Sequence, residues 1–345
     1  LRLLQGDVGA GKTVVALEAM LIAVEAGAQA ALLAPTEILA RQHYESLRRM
    51  AEPTGARVAL LTGRDKGRAR EATLMGLLDG SIDIVVGTHA IFQDKVAYRN
   101  LAMVVIDEQH RFGVGQRLML ASKGRRAPHV LAMTATPIPR TLNMSLVGIR
   151  DMSIIETPPK DRLSIQTNVV AFDAPVIERA IRNEVARGGQ VYFVHNRVES
   201  IDSIASLLQR LVPEARIGVG HGQMGEDELE RAMLGFVERR FDVLLATTIV
   251  ESGLDIPNAN TIFVDDANRY GLSDLHQLRG RVGRYKHRAY CYMLVDKHKH
   301  ITPDAARRLR AIEEYSEMGA GFAISMRDLE IRGAGNLLGP QQSGH

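Results

Sequence analysis

The sequence predicts an α/β protein built from two lobes, each with a parallel sheet. Apolar runs of five to seven residues alternate with helix-length amphipathic segments along most of the 345 residues. A polar, proline-containing stretch at 157–162 interrupts this alternation, which then restarts. A glycine-rich turn of the kind that binds phosphate follows the first apolar run. We therefore predict lobes at 1–158 and 159–300, followed by a helix and loop region at 301–345.

The composition is that of an ordinary globular protein. Hydrophobic residues make up 46% of the chain and charged residues 24%, and no apolar run reaches the roughly 18 residues that a membrane-spanning helix needs. One cysteine, Cys291, cannot form an internal disulfide or a cysteine-based zinc site. We therefore expect a cytoplasmic protein rather than a membrane or secreted one. Because the sequence opens with Leu1 inside an apolar run, we also expect further chain upstream.

In the first lobe, five apolar runs predict strands that helices cover on both faces, because most of the runs lack polar alternation. The first helix is expected from Thr13 to just before Gly27, with Val14, Leu17 and Leu21 close to helical spacing. The strands are expected at 29–34, 58–62, 82–88, 103–107 and 130–135.

In the second lobe, the same alternation predicts helices at 174–187, 200–211 and 227–237 and strands at 190–195, 215–219, 241–248, 261–265 and 289–295. From about Thr302 a charged helix leads into a glycine-rich tail. Residues 277–345 carry twelve Lys/Arg against seven Asp/Glu, whereas the rest of the chain carries 31 against 33. Such a local basic excess is typical of a phosphate-backbone contact or of a solvated surface.

The strongest functional signal is the glycine-rich turn at 6–13, which reads GDVGAGKT. Backbone N–H groups of such a turn surround phosphates, and the following helix adds the positive end of its dipole. Lysine reaches the β- and γ-phosphates, and the hydroxyl after it is suited to ligate Mg²⁺. The sequence therefore predicts an ATP and Mg²⁺ site formed by Gly6, Gly9, Gly11, Lys12 and Thr13.

A second acidic motif complements this loop. The strand at 103–107 delivers Asp107 to its carboxyl end, where α/β sheets bind ligands, and Glu108, Gln109 and His110 follow. Asp107 is predicted as a second metal ligand and Glu108 as the group that orients or deprotonates the attacking water. His110 is either structural or a γ-phosphate sensor.

The order of the motifs resembles that of the superfamily 2 helicases and translocases, over nearly the whole chain. The resemblance implies two tandem RecA-like P-loop NTPase lobes and ATP hydrolysis with Mg²⁺. Besides the two motifs above, it rests on Ala34-Pro35-Thr36-Glu37, Gly87-Thr88-His89, Thr134-Ala135-Thr136, Ala246-Thr247-Thr248 with Glu251-Ser252-Gly253-Leu254-Asp255, and Gln277-Leu278-Arg279-Gly280-Arg281-Val282-Gly283-Arg284.

The resemblance also distributes roles over the two lobes. Arg281 and Arg284 are expected to reach the transferring phosphate as arginine fingers, with Gln277 beside them, and Asp255 is expected to touch the ribose. Nucleic-acid contacts are expected at loops that follow strands, and they should be to the backbone because the chain is poor in aromatic residues for base stacking. The residues are Pro35, Thr36, Thr62, Gly63, Thr88, His89, Asn196, Thr247 and Thr248.

The tail at 321–344 resembles the translocation motif shared by RecG and the bacterial transcription-repair coupling factor, both of which are double-stranded DNA translocases. This implies double-stranded or branched DNA as a partner, and RNA polymerase if the chain acts as a coupling factor. The first half is closer to RecG and the second half to the coupling factor. Coupling between hydrolysis and motion is expected from His110, Thr134, Thr136, Arg332 and Gln342.

Two alternatives stay open at this point. The lobes alone are compatible with a single-strand RNA helicase of the same superfamily, and the phosphate loop alone with a nucleotide-gated nucleic-acid-binding module without motor activity. The arginine pair and the tail favour a motor over the binding module. DNA-dependent against RNA-dependent ATPase activity would separate the two kinds of helicase.

Overall fold

The computed structural model describes residues 1–7, 9–108, 127–135, 151–155, 157, 164–248, 256, 258–283, 288–297 and 300–315. The chain divides into two compact units. Unit 1 comprises Leu1–Ala135 with Asn143–Thr157, and unit 2 comprises Thr136–Leu142 with Pro158–His345. None of the described helices is long and apolar enough to cross a membrane.

Unit 1 contains a seven-stranded sheet in which every pair of neighbouring strands is parallel. The strand order is β3-β4-β2-β5-β6-β1-β7. The elements are β1 (Arg2–Gly6), α1 (Lys12–Glu25), β2 (Gln29–Leu33), α2 (Glu37–Ala51), β3 (Val58–Leu61), α3 (Gly67–Asp79), β4 (Ile84–Gly87), β5 (Leu101–Ile106), β6 (His129–Thr134) and β7 (Asp151–Ile155).

The sheet of unit 1 is covered on both faces, which explains why its central strands lack polar alternation. In β2, Ala30 and Leu32 pack in a cluster with Leu17 and Met20 of α1. The intervening residues of the same strand pack on the other face, in a cluster that includes Leu77 of α3. Because successive side chains of a strand point to opposite faces, both alternating sets of side chains in each central strand must be apolar.

Unit 2 contains a six-stranded sheet that is also parallel throughout, in the order β10-β11-β9-β12-β13-β8. Phe193 and Phe263 stack at its centre, with ring centroids 5.3 Å apart. The elements are β8 (Ile165–Ala171), α4 (Ala174–Ala186), β9 (Gln190–Val194), α5 (Val198–Leu211), β10 (Ile217–Gly220), α6 (Glu226–Val237), β11 (Val243–Ala246), β12 (Ala259–Val264), α7 (Leu272–Arg279), β13 (Ala289–Val295) and α8 (Pro303–Glu314).

The same polar contacts recur in the two units. At the start of β2 the buried Gln29 donates to two carbonyls, those of Leu77 and Ile82, and at the start of β9 the buried Gln190 does the same in unit 2. An arginine that precedes the outermost strand on that side donates to an aspartate in each unit. The pairs are Arg57 with Asp83 and Arg216 with Asp242. The two lobes therefore use one architecture twice.

The predicted fold class is confirmed, since both units are parallel α/β sheets. Each strand and helix whose bounds were predicted is present, with ends that differ by at most two residues. The strands β7 and β8 were not predicted. Both lie at sheet edges, where one side pairs with no other described strand, and their many half-exposed residues lack the apolar run of a central strand.

Candidate functional site

The phosphate loop of unit 1 joins β1 to α1 as predicted. Gly9 and Gly11 adopt φ values of 82° and 92°, which residues with a Cβ rarely tolerate. The amide of Ala10 donates to the carbonyl of Asp7 at 3.0 Å, so the loop closes on itself before the helix begins. Gly11 precedes the first helical residue, and the first turn of α1 contains no acidic side chain. The amino end of α1 therefore keeps the positive potential that favours an anion.

Lys12 lies inside this loop. Its Nζ donates to the carbonyl oxygens of Gly6 at 2.6 Å and Asp7 at 3.0 Å. These contacts hold the ammonium group against the backbone of the loop. An ammonium group beside a glycine-rich turn and a helix amino end is the arrangement that favours phosphate binding.

Asp107 follows β5 and lies close enough to Lys12 for the two charges to interact. Its carboxylate is 2.8 Å, Oδ2 to Nε2, from the imidazole of His43, and the two side chains are 11% and 14% exposed. Burial alone would raise the pKa of Asp107. The contact with His43, the charge of Lys12 and the backbone amide of Glu108 outweigh it, so the pKa lies below its usual range. Asp107 is therefore held as a carboxylate, the form that ligates a metal ion.

Glu108 occupies a strained backbone position beside this carboxylate. Its φ of 51° lies in the left-handed region, which is uncommon for a residue with a long side chain. It is 7% exposed. Thr134 ends the adjacent strand β6 and is paired in register with Gln5, which immediately precedes the phosphate loop. Asp107, Glu108, Thr134 and the loop thus share one carboxyl edge of the sheet.

The loops after β2, β3 and β4 are tied to one another at the same edge. Thr36 caps α2, since its side chain accepts from the amide of Leu39. Glu37 pairs with Arg64 at 3.3 Å. Arg70 donates both to the carbonyl of Thr62 and to Gln93, each at 3.1 Å. These contacts connect the loops that carry the predicted nucleic-acid residues of unit 1.

The predicted nucleic-acid residues on these loops differ in exposure. Thr62 is fully buried and its hydroxyl donates to Asp65 at 3.1 Å, and Thr88 is 5% exposed. Gly63 and His89 are exposed. Four basic residues that the sequence analysis did not single out follow Gly63 within seven positions, and their spacing was visible in the sequence: Arg64, Lys66, Arg68 and Arg70.

In unit 2, a buried histidine directly after β9 contacts an aspartate and a serine. His195 lies 2.6 Å from Asp265 through Nδ1 and 2.8 Å from Ser200 through Nε2. Next to it, the exposed Asn196 accepts from the hydroxyl of Thr248 at 2.8 Å. Thr247 is 1% exposed. The structure therefore brings Asn196 and Thr248 together, next in sequence to His195, which sequence reasoning missed.

Further along unit 2, α7 and the turn after it carry the candidate arginine segment. Gln277 and Arg281 are half-buried, and the guanidinium carbon of Arg281 lies 5.9 Å from the ring centroid of Tyr192. Arg279 between them has a different role. It is 3% exposed and donates to the carbonyls of Ile312 and Tyr315, so it anchors the end of α8.

Several predicted site residues lie outside the described part of the chain, and their roles stay predictions. They are His110, Thr136, Asp255, Arg284, Arg332 and Gln342.

Residues 2–145 match the DEAD/DEAH box helicase family, and residues 175–286 match the helicase conserved C-terminal domain. Transcription-repair-coupling factors are similar to 99% of the chain, with identities of 51% in Myxococcus xanthus, 50% in Bacillus subtilis and 48% in Escherichia coli. The chain spans 28%, 29% and 30% of the length of these relatives.

Among solved structures, RecG bound to a three-way DNA junction matches with a TM-score of 0.84 and 40% identity, over 97% of this chain and 44% of that one. Yeast Dbp5 bound to RNA and ADP BeF₃ matches with a TM-score of 0.66, over 91% of this chain and 82% of that one. The second match is 18% identical and shows the fold alone. The matches to the coupling factors and to the two solved structures extend over both lobes, so they do not test the prediction that the first half is closer to RecG and the second half to the coupling factor.

Proposed function

We propose, from the premise that this chain belongs to the superfamily 2 helicases and translocases of the RecG and coupling-factor type, that it is the motor of an ATP-driven double-stranded DNA translocase. The observation that carries the proposal is the carboxyl edge of the unit 1 sheet. There the phosphate loop, Lys12 and the ionised Asp107 meet, on the same sheet edge as the connected loops that follow β2, β3 and β4.

The residues of unit 1 fit a nucleotide with its metal ion. Thr13 supplies a hydroxyl in the first turn of α1 and Asp107 a carboxylate, and such oxygen ligands suit Mg²⁺. When bound, Mg²⁺ would neutralise charge that develops on the phosphates. Lys12 and the loop amides would bind the β- and γ-phosphates, and Glu108 would hold the attacking water and accept its proton.

The second lobe would complete hydrolysis. We assign Arg281 and Arg284 to the charge that develops in the transition state, Gln277 to the same phosphate and Asp255 to the ribose. A cation that arrives from a separate unit makes hydrolysis depend on the arrangement of the two units. A motor needs such dependence if each round of ATP hydrolysis is to be coupled to binding and release of DNA.

The grip on DNA would be to the phosphate backbone. We assign it in unit 1 to Pro35, Thr36, Gly63 and His89 with the basic loop after β3, and in unit 2 to Asn196 and Thr248. The buried Thr62, Thr88 and Thr247 would support these loops or contribute through their backbone. His110, Thr134, Thr136, Arg332 and Gln342 would link hydrolysis to motion.

The biological setting we propose is bacterial DNA repair in the cytoplasm. Identities of 48–51% to transcription-repair-coupling factors, against 40% to RecG, favour a role in transcription-coupled repair with RNA polymerase as partner. Fork reversal or branch migration of the RecG kind is the second candidate. The 40% identity and the 0.84 TM-score to RecG bound to a branched DNA favour it.

The proposal is tested on the protein that carries this chain by measuring ATPase activity with duplex DNA, single-stranded DNA and RNA, together with displacement of a third strand from a DNA triplex. We expect duplex DNA to stimulate hydrolysis most and the third strand to be displaced only with ATP. Lys12→Ala should abolish both activities. Preferential stimulation by RNA, or stimulation by duplex DNA without displacement, would overturn the proposal.

A further inference from the structure

The contact between His43 and Asp107 joins two parts of unit 1 that the proposed function treats separately. Thr36, an assigned DNA contact, caps the first turn of α2. His43 lies seven residues later, two helical turns or about 10 Å along the same helix, and its Nε2 is 2.8 Å from the carboxylate assigned to the metal. One helix thus contacts both the predicted DNA surface and the nucleotide site.

The helix is anchored in the core on both sides of His43. Ile38, Leu39, Ala40 and Leu47 are all at most 6% exposed, so one face of α2 packs in the core throughout its length. A displacement imposed on its amino end would therefore reach His43 rather than dissipate in a loop. The contact between His43 and Asp107 joins residues 64 positions apart in the sequence, and both side chains are nearly buried.

In the described part of the chain, two groups hydrogen-bond the carboxylate of Asp107. His43 contacts Oδ2, and the amide of Glu108 also donates to the carboxylate. A carboxylate that ligates a metal ion needs its rotation fixed, and groups that hydrogen-bond such a ligand commonly change metal affinity or activity about 10- to 100-fold when they are lost. His43 is the side chain in the described part of unit 1 that is seen to provide this hydrogen bond.

We propose that His43 is a positioning residue that couples DNA contact at the start of α2 to the metal-binding orientation of Asp107, and so contributes to stimulation of hydrolysis by DNA. The inference rests on the proposed function, because it uses the assignments of Thr36 and Asp107. No direct contact of His43 with nucleotide, metal ion or DNA is required.

Three variants test the coupling. His43→Leu removes the hydrogen bond at similar bulk, and His43→Gln places an amide donor at about the same reach. Glu45→Gln is the matched control on the exposed face of α2, where the carboxylate of Glu45 pairs only with Arg48 among the described residues. Thermal unfolding establishes that each variant is folded.

We expect His43→Leu to raise the Mg²⁺ concentration for half-maximal ATPase activity about tenfold and to lower the stimulation by duplex DNA by a similar factor. DNA affinity and Mg²⁺-free nucleotide binding should stay near wild type. His43→Gln should restore most of both losses, and Glu45→Gln should show neither. The losses in DNA stimulation caused by Thr36→Ala and His43→Leu should not add, because both interrupt one linkage.

Unchanged Mg²⁺ dependence and DNA stimulation in a folded His43→Leu protein would overturn the proposal. So would equal defects in His43→Leu and His43→Gln, which would indicate that the imidazole ring only packs. If the wild type itself shows no DNA-stimulated ATPase, the proposed function fails instead. In that case, binding of a fluorescent ATP analogue at increasing Mg²⁺ concentrations still tests whether His43 positions Asp107. A higher Mg²⁺ requirement in His43→Leu than in wild type would support the positioning role, and an equal requirement would overturn it.

Discussion

Replacing Gly87 by alanine tests the packing of the sheet edge of unit 1 to which we assign DNA contacts. Gly87 ends β4 and pairs in register with Leu61 of β3. A Cβ at this position would overlap the carbonyl oxygen of Leu61 and Cγ2 of Ile91. The first obstacle is backbone of a neighbouring strand, which cannot rotate away as a side chain can.

The size of the effect follows from this obstacle. Overpacking a core typically costs about 1–3 kcal/mol, and an overlap with paired backbone places Gly87→Ala at about 3 kcal/mol. For a unit of about 150 residues this lowers the melting temperature by roughly 6–12 °C. The required shift of β3 or β4 also moves the loops that begin at Thr62 and Thr88, so DNA affinity should fall as well.

The measurement is thermal unfolding followed by DNA binding at a temperature where the variant is folded. Gly63→Ala is the matched stability control, since its Cβ would lie 3.4 Å from Glu37 Oε1, an ordinary contact. Its melting temperature should stay within about 2 °C of wild type, as surface substitutions usually cost under about 0.5 kcal/mol. A Gly87→Ala protein with the same melting temperature as the wild type would refute this packing of β3 against β4.

The remaining predictions concern turnover and DNA. Glu108→Gln should bind ATP normally but hydrolyse it about 10²- to 10⁴-fold more slowly, because the amide cannot accept the proton; weakened ATP binding in equilibrium titrations would contradict this. Arg281→Ala should leave nucleotide affinity nearly unchanged and reduce kcat about 10³-fold; equal losses in affinity and rate would argue for a ground-state contact. The logarithm of DNA affinity should fall with the logarithm of salt concentration, by about 0.9 per neutralised phosphate, and a flat dependence would exclude backbone contacts.

Local patterns predicted most of the fold, since they report on residues that are close in sequence. The run of apolar residues in β2 indicates burial on both faces, and the spacing of Leu17 and Leu21 indicates the buried side of α1. The edge strands β7 and β8 were not predicted because a strand at a sheet edge can carry polar residues. Their existence depends on the partner strand rather than on their own composition.

For the site, the sequence by itself determined the phosphate loop, because residues 6–13 supply both its glycines and its lysine. It also determined that Asp107 lies at the carboxyl end of a strand, where α/β sheets bind ligands. Only the tertiary structure decided which side chains meet there. His43 reaches Asp107 across 64 residues and His195 reaches Asp265 across 70. Strand order brings β2 beside β5 and β9 beside β12, and no local pattern encodes that order, because it results from the packing of the whole sheet.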